Sequence, residues 1–280
     1  MKLAGTGGAW ANGRLRAARS IALALLASST AAAAAEPAGG AEAEAAPDRP
    51  VTSADLTGDT WRAVGITAAA LAAQAGIAAS WKTPDCRICQ SNKLDENVRD
   101  ALRWSHPADA RTASDILASG VIPVLAAADA WRSTSSWGNA GRDVLVVAEA
   151  ASLASLATTT AKWGFARRRP GLPTTNPAAS GDNHSLWSGH SSWAFSIAVA
   201  QATQDTIRGD EAAPWVWAIG LTLATSVAYF RVAGDAHWFT DVLAGAAVGS
   251  AFGAGIPLLE TRLVKGVTLS PAPGGIAVHF

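Results

Sequence analysis

Six Ala-rich apolar segments recur along this chain, at Ala63 to Ser80, Ile116 to Ala130, Val144 to Ala161, Ser192 to Ala202, Trp215 to Val232 and Val242 to Leu259. Segments of this length, carried by Ala more than by β-branched or aromatic residues, are helices, and strand signals are scarce between them. The chain is therefore expected to be all-α, a helical bundle. Leu94, Val98, Ala101 and Leu102 form an apolar stripe with Asp95, Glu96, Arg99, Asp100 and Arg103 elsewhere, the pattern of an amphipathic helix on the bundle surface. Only the tail, VTLSPAPGGIAVHF, switches to short β-like runs around a Pro/Gly turn, which predicts a hairpin over 266–280. No internal repeat is visible.

At the other end, Arg14, Arg16 and Arg19 precede the apolar run Ile21 to Leu26 and a stretch of small residues to Ala35. This three-part pattern predicts a secretory signal peptide over 1–35, cleaved after Ala33 or Ala35, with an uncleaved anchor as the alternative. Residues 36–59, rich in Ala, Pro, Gly and acids, read as a flexible lead-in. A single helical domain over 60–265 remains, long enough for one sizeable core. The chain carries 22 basic and 22 acidic residues. Without a net field to recruit a polyanion, nucleic acid is not an expected partner and recognition must be local.

Cys86 and Cys89 lie in PDCRICQSN. A C-x-x-C pair can be redox-active, half a zinc site or a short disulfide; no second pair completes a four-thiolate site, and an exported chain favours a disulfide pinning the loop. Lys162, Arg167, Arg168 and Arg169 put four cations within KWGFARRRP, where Pro170 ends the preceding helix. Such a cluster reads as a solvated helix end or as a phosphate clamp of Lys point charge and Arg fork. Ser188 precedes an apolar helical run and is a candidate N-cap. The NH groups of Gly189 and His190 would then sit in a first turn able to bind an anion, with His190 placed to give a proton. His106, His184 and His279 have no such placement. In FRVAGDAHWFTDVL, a helix starting near Asp235 would set His237 and Asp241 on one face, with Arg231 just upstream as an oxyanion-binding fork.

Taken together, Lys162 with six intervening residues before Arg169-Pro170, then Ser188-Gly189-His190, then Arg231, five residues, His237, three residues and Asp241 resemble the three-part signature of the type 2 phosphatidic acid phosphatase superfamily. Nine fixed identities in this order arise by chance on the order of once in 10^5 chains of this length. The chain departs from the family pattern at Trp187, where Pro is usual, and at Phe230, where a Ser hydroxyl is usual. The resemblance implies the phosphatase/haloperoxidase bundle and a phosphatase acting on phosphate mono- or diphosphate esters, from lipid phosphates to small acid-phosphatase substrates. It implies that His237 attacks phosphorus and forms a phosphohistidine, that Asp241 holds its other ring nitrogen, and that His190 protonates the leaving alcohol and then activates water. Lys162, Arg169, Arg231, Ser188 and Gly189 would bind the phosphate, with no cofactor. The family also contains vanadium-dependent haloperoxidases, so vanadate is the cofactor under that alternative; a non-catalytic binding member is a third.

The resemblance leaves location open. With a cleaved signal, three membrane crossings before Lys162 would put the site and both cysteines in the cytoplasm, against an exported site and a disulfide. Gln74, Glu149 and the Thr158 to Thr160 run weigh against spanning, and mean hydropathy is only +0.17. The expectation is a periplasmic protein, soluble or membrane-associated, with an integral membrane protein bearing a periplasmic site as the alternative. Trp215 to Tyr229 and Val242 to Leu259 are apolar enough to span. The sequence is silent on oligomeric state.

Overall fold

The computed structural model describes residues 53–80, 85–171, 183–264, 268–272 and 275–279. The expected signal peptide lies outside these residues. Each apolar segment forms a helix: α1 (Ser53–Ala79), α3 (Pro107–Ile116) continuing into α4 (Ile122–Thr134), α5 (Trp137–Phe165), α6 (Gly189–Arg208), α7 (Ala213–Ala233) and α8 (Phe239–Val264). The amphipathic stripe forms α2 (Lys93–Leu102), whose Val98 and Leu102 are buried. Helix α1 begins at Ser53, so the last residues assigned to the lead-in are helical. Two strands, Thr268–Ala272 and Gly275–His279, pair antiparallel after α8.

Helices α3 and α4 are joined by a π turn, Leu117–Val121. Pro123 has no NH to give the carbonyl of Ser119, and its ring crowds that carbonyl; a wider turn relieves both problems. The Ala118 carbonyl accepts a bond from Trp193 Nε1 of α6 at 3.0 Å.

The centre of the bundle is α6, buried along most of its length. It packs backbone to backbone against α8. Gly245, Gly249 and Gly253 recur every fourth residue on α8 and lie against the carbonyls of Ser188, Ser192 and Ser196, themselves four residues apart. A Cβ at the three glycines would stand 2.5, 2.3 and 2.7 Å from those oxygens. Small residues at this spacing allow two backbones to touch, the packing mode of helices that apolar burial does not drive together.

Five stretches are long and apolar enough to cross a membrane: Thr60–Ala79, Pro107–Thr134, Trp137–Phe165, Ala213–Ala233 and Phe239–Thr261. Their apolar surface faces outwards; only 11% of the Thr60–Ala79 window and 28% of the Phe239–Thr261 window is buried. In water this would be an exposed apolar belt of a size soluble monomers avoid. The soluble bundle expected from the sequence is disfavoured on this ground. Aromatic residues mark both ends of the belt, with Trp61, Trp137 and Trp215 exposed at one and Trp104, Trp163 and Phe165 at the other. Along α5, Trp137 and Trp163 are about 39 Å apart at 1.5 Å per residue, close to a bilayer's thickness with its headgroups.

Candidate active site at one end of the bundle

The C-terminal ends of α5 and α7 and the N-terminal ends of α6 and α8 meet at one end of the bundle. Helix α5 ends at Phe165, where Ala166 turns left-handed (φ 43°). The expectation that Pro170 ends this helix is corrected: Arg167–Arg169 follow in extended chain. That segment is held on both sides. The Ala166 carbonyl accepts from Arg87 N and the Arg167 carbonyl from Ser185 N, while Arg168 N donates to the Ile88 carbonyl. Cys86 and Cys89 are disulfide-bonded in the same loop, and Arg87 Nη1 caps the Gly164 carbonyl at 2.7 Å. The disulfide loop thus braces the arginine segment.

Helix α6 starts as expected at Ser188, whose Oγ accepts from Ser191 N at 3.3 Å. Ser188 N donates to the Asp241 carbonyl at 3.0 Å. Ser188 is fully buried and caps the helix, its Oγ accepting from both Ser191 N and Ser191 Oγ. The NH groups of Gly189 and His190 remain at the helix N-terminus. A Cβ at Gly189 would lie 3.4 Å from Lys162 Nζ, which places that ammonium against the helix start.

The third segment differs from expectation. Asp235 is not an N-cap but a left-handed turn residue (φ 54°) whose carboxylate binds Arg99 Nη2 at 2.8 Å and Arg103 Nε at 3.3 Å. Arg111 Nε donates to the preceding carbonyl, that of Gly234, at 2.6 Å. The turn folds back so that His237 N bonds the Arg231 carbonyl at 3.3 Å, bringing the imidazole beside that arginine's helix end. Helix α8 begins only at Phe239, so His237 precedes it. Asp241, in the first turn, accepts from Trp238 N at 3.0 Å, a reciprocal cap of the new helix.

His237 Nδ1 donates to the Ser185 carbonyl at 2.8 Å. Asp241 Oδ2 is 3.8 Å from that nitrogen, beyond hydrogen-bond reach. The expected direct bond between Asp241 and His237 is corrected: Asp241 receives Ser185 Oγ and Arg167 Nη1, and acts on the histidine through the Ser185 residue whose carbonyl holds the ring. Arg167 also binds Asp95 at 2.6 Å. Asp95, from α2, accepts from Thr240 N and Thr240 Oγ1, each at 2.8 Å. Arg167 is therefore structural, and Asp95 was missed because nothing in the α2 stripe distinguishes a buried acid from a solvated one.

Fixing Nδ1 as the donor leaves Nε2 of His237 with a free lone pair. Burial, with Arg169, Lys162 and Arg231 close by, drives the His237 pKa down to about 3. The same three cations identified from spacing thus converge on one neutral imidazole. The Nε of Arg231 is buried with no hydrogen-bond partner among the described residues. His190 Nε2 contacts Asp115 Oδ1 at 2.8 Å, and burial with Arg231 and Lys162 lowers its pKa to about 4 despite that carboxylate.

The two departures from the family pattern are accommodated. Trp187 Nε1 donates to Thr158 Oγ1 at 2.7 Å, tying the segment before Ser188 to α5. Phe230 packs edge-on against Trp104, with ring centroids 5.6 Å apart, while Ser114 Oγ receives Arg231 Nη1 at 3.1 Å. Beside His190 and Lys162 a cavity of about 300 Å³ is lined by Gln74, Ser119, Ser155 and Thr159. A second cavity, about 280 Å³ between α4, α6 and α7, contains none of the site residues.

Four helix ends thus gather two histidines and three cations around a helix N-terminus, an arrangement equipped to hold an oxyanion. Residues 143–265, which hold every one of these groups, match the family model of the PAP2 superfamily. Over 163 residues, 56% of this chain, the sequence is 29% identical to the lipid A 1-phosphatase of Porphyromonas gingivalis. The matched stretch is 32% of that relative, so the chain spans about a third of its length. Among solved structures, the Bacillus subtilis transmembrane PAP2 type phosphatidylglycerolphosphate phosphatase aligns over 72% of this chain and 97% of its own, at 19% identity and a TM-score of 0.47.

Proposed function

We propose that this chain is an integral membrane phosphatase that removes phosphate from a lipid phosphate or diphosphate ester through a phosphohistidine on His237. The observation that carries this is the neutral, Nδ1-anchored imidazole of His237 with Lys162, Arg169 and Arg231 around it. Nε2 attacks phosphorus in line with the leaving oxygen. The three cations and the NH groups at the start of α6 take the charge on the equatorial oxygens, the role a metal has in other phosphatases. His190 gives the departing alkoxide its proton and then takes one from the water that cleaves the P–N bond. No metal or cofactor enters this scheme.

Position supports the lipid class. The site lies at the end of the apolar belt, and its adjoining cavity reaches α1 and the π turn, at headgroup depth. The matched relative is named for a lipid phosphate substrate. The disulfide loop braces the same face, and a disulfide belongs on the oxidising side, so the site opens to the exported side of the membrane. Three crossings separate Ser53 from Lys162, which puts the start of α1 on the cytoplasmic side. A signal cleaved near Ala35 would give the reverse.

The test is phosphate release from lipid phosphates in proteoliposomes, with and without EDTA, coupled to trapping of phosphoenzyme by an alkaline detergent quench. Wild-type protein should turn over in EDTA and yield an acid-labile phosphoenzyme, and His237→Ala should do neither. His190→Ala should lose roughly 10² more on alkyl phosphates than on p-nitrophenyl phosphate, whose leaving group needs no proton. Wild-type turnover in His237→Ala would refute the covalent mechanism. Bromide oxidation with vanadate and peroxide, without phosphate release, would favour the haloperoxidase.

A further inference from the structure

Asp115 lies in α3, outside the matched stretch 143–265. One of its carboxylate oxygens, Oδ1, touches both His190 Nε2 at 2.8 Å and Arg231 Nη1 at 3.1 Å. The neighbouring Ser114 Oγ lies 3.1 Å from the same Nη1. The next residues form the π turn, whose Ala118 carbonyl is bonded to Trp193 three residues beyond His190. The α3 end is therefore anchored to the first turn of α6, with the carboxylate held at the site mouth.

We propose that Asp115 is the positioning residue for the general acid: it holds His190 Nε2–H, selects Nδ1 as the proton-exchanging nitrogen, and yields Arg231 to the incoming phosphate. This rests on the phosphatase function proposed above. A ring that donates Nε2–H to a carboxylate has only Nδ1 left to gain or lose a proton. In the first step the bond from His237 Nε2 to phosphorus forms and the P–O bond breaks. The departing alkoxide takes the Nδ1 proton of the His190 imidazolium. In the second step Nδ1 takes a proton from water, whose oxygen displaces His237 from phosphorus. The imidazolium is restored. Asp115 exchanges no proton in either step, and Nε2–H never leaves it.

The charges around His190 explain why such a partner is needed. Lys162 of α5 and Arg231 of α7 both oppose the imidazolium, as does burial; Asp115 of α3 favours it. Arg111 and Arg169 add to the positive field at Arg231. Asp115 divides its charge between His190 and Arg231, and His190 is neutral near pH 7. A phosphate dianion on Arg231 brings negative charge next to the ring and leaves Asp115 to His190 alone. Substrate binding and charging of the acid are thereby linked.

The experiment uses full-length protein in proteoliposomes and compares Asp115→Asn and Asp115→Glu with wild type on an alkyl and a p-nitrophenyl phosphate. For Asp115→Asn, kcat on the alkyl ester should fall roughly 10²-fold but on the aryl ester less than tenfold. The alkaline limb of its kcat profile on the alkyl ester, which reports the substrate complex, should move to lower pH, because a ring that has lost its counter-charge loses its proton more easily. Vanadate, no longer competing with a carboxylate for Arg231, should inhibit at least as strongly as in wild type, which also reports a folded cradle. Asp115→Glu should recover most alkyl activity. Equal losses on both esters with an unmoved limb, or no loss at all, would overturn the proposal. In either case His237→Ala, inactive beside an active wild type, would leave the phosphatase function standing.

Discussion

Gly249→Ala tests the seam on which the site depends. The added Cβ would stand 2.3 Å from the Ser192 carbonyl oxygen and 3.0 Å from both its carbonyl carbon and Cα. Ordinary contact begins near 3.4 Å, so the shortfall to the oxygen is about 1 Å, and the obstacle is helix backbone that no rotamer change can clear. Helices α6 and α8 must part or slide. Overpacking of this kind costs about 1–3 kcal/mol, a fall of roughly 2–12 °C in Tm for a domain of this size. The same seam sets Gly189 and His190 on one helix against His237 and Asp241 at the start of the other. A 1 Å displacement there should lower kcat by about 10². Thermal unfolding in detergent and lipid phosphate turnover would be measured beside Gly255→Ala, a position with nothing within 4 Å of its Cβ. The control should match wild type or gain slightly from helix propensity. If Gly249→Ala behaved like Gly255→Ala, the glycine–serine seam would not be what positions the site.

Asp95→Ala should destabilise by about 1–3 kcal/mol, since it leaves Arg167 Nη2 without its carboxylate, while Nη1 keeps Asp241, and uncaps Thr240 N; an unchanged Tm would refute the network's role. Cys86→Ser should cost about 2 kcal/mol by the loop-entropy estimate for so short a loop and loosen the Arg167 segment, measured as Tm and as faster hydrogen exchange of the Arg168 amide. His237, held near pKa 3 folded and about 6.5 unfolded, lets the unfolded chain bind a proton first below about pH 6.5. Stability should therefore fall as pH drops from there towards 3, and His237→Gln should flatten that slope in a Tm-against-pH series. A single added cysteine at Ser136, between α4 and α5, should react with impermeant maleimide only after the cytoplasmic face is opened, and one at Ser91 should react in intact cells; the opposite pattern would reverse the proposed topology.

Much of this protein was legible in the linear chain because it depends on short-range spacing. Ala-rich apolar segments propagate helix wherever they occur, and every expected helix is present, with α2 burying the side of its stripe that holds Val98 and Leu102. Lys162, Arg169, His190, Arg231 and His237 could be singled out because charged and imidazole groups recur at fixed distances within three short stretches. Other features depended on chain separations that no local period records. Asp95 and Asp241 share Arg167 across more than 70 residues, and Asp115 reaches His190 across a similar gap. The glycines of α8 were visible in sequence, yet their meaning required the serine carbonyls of α6 opposite them.

The soluble-or-spanning question divides the same way. Composition gave helices of intermediate hydropathy, compatible with a core or with lipid. Only the assembled bundle shows that their apolar faces point outwards while α6 fills the centre. The sequence by itself determined which groups lie on each helix and which helix ends could carry an anion site. The tertiary structure decided which ends meet, that Ser185 rather than Asp241 holds the His237 ring, and that Asp115 joins the site. The physical reason is that helix formation is governed by bonds four residues apart, whereas the partner of a buried charge is whichever group the packing of two backbones brings within 3 Å.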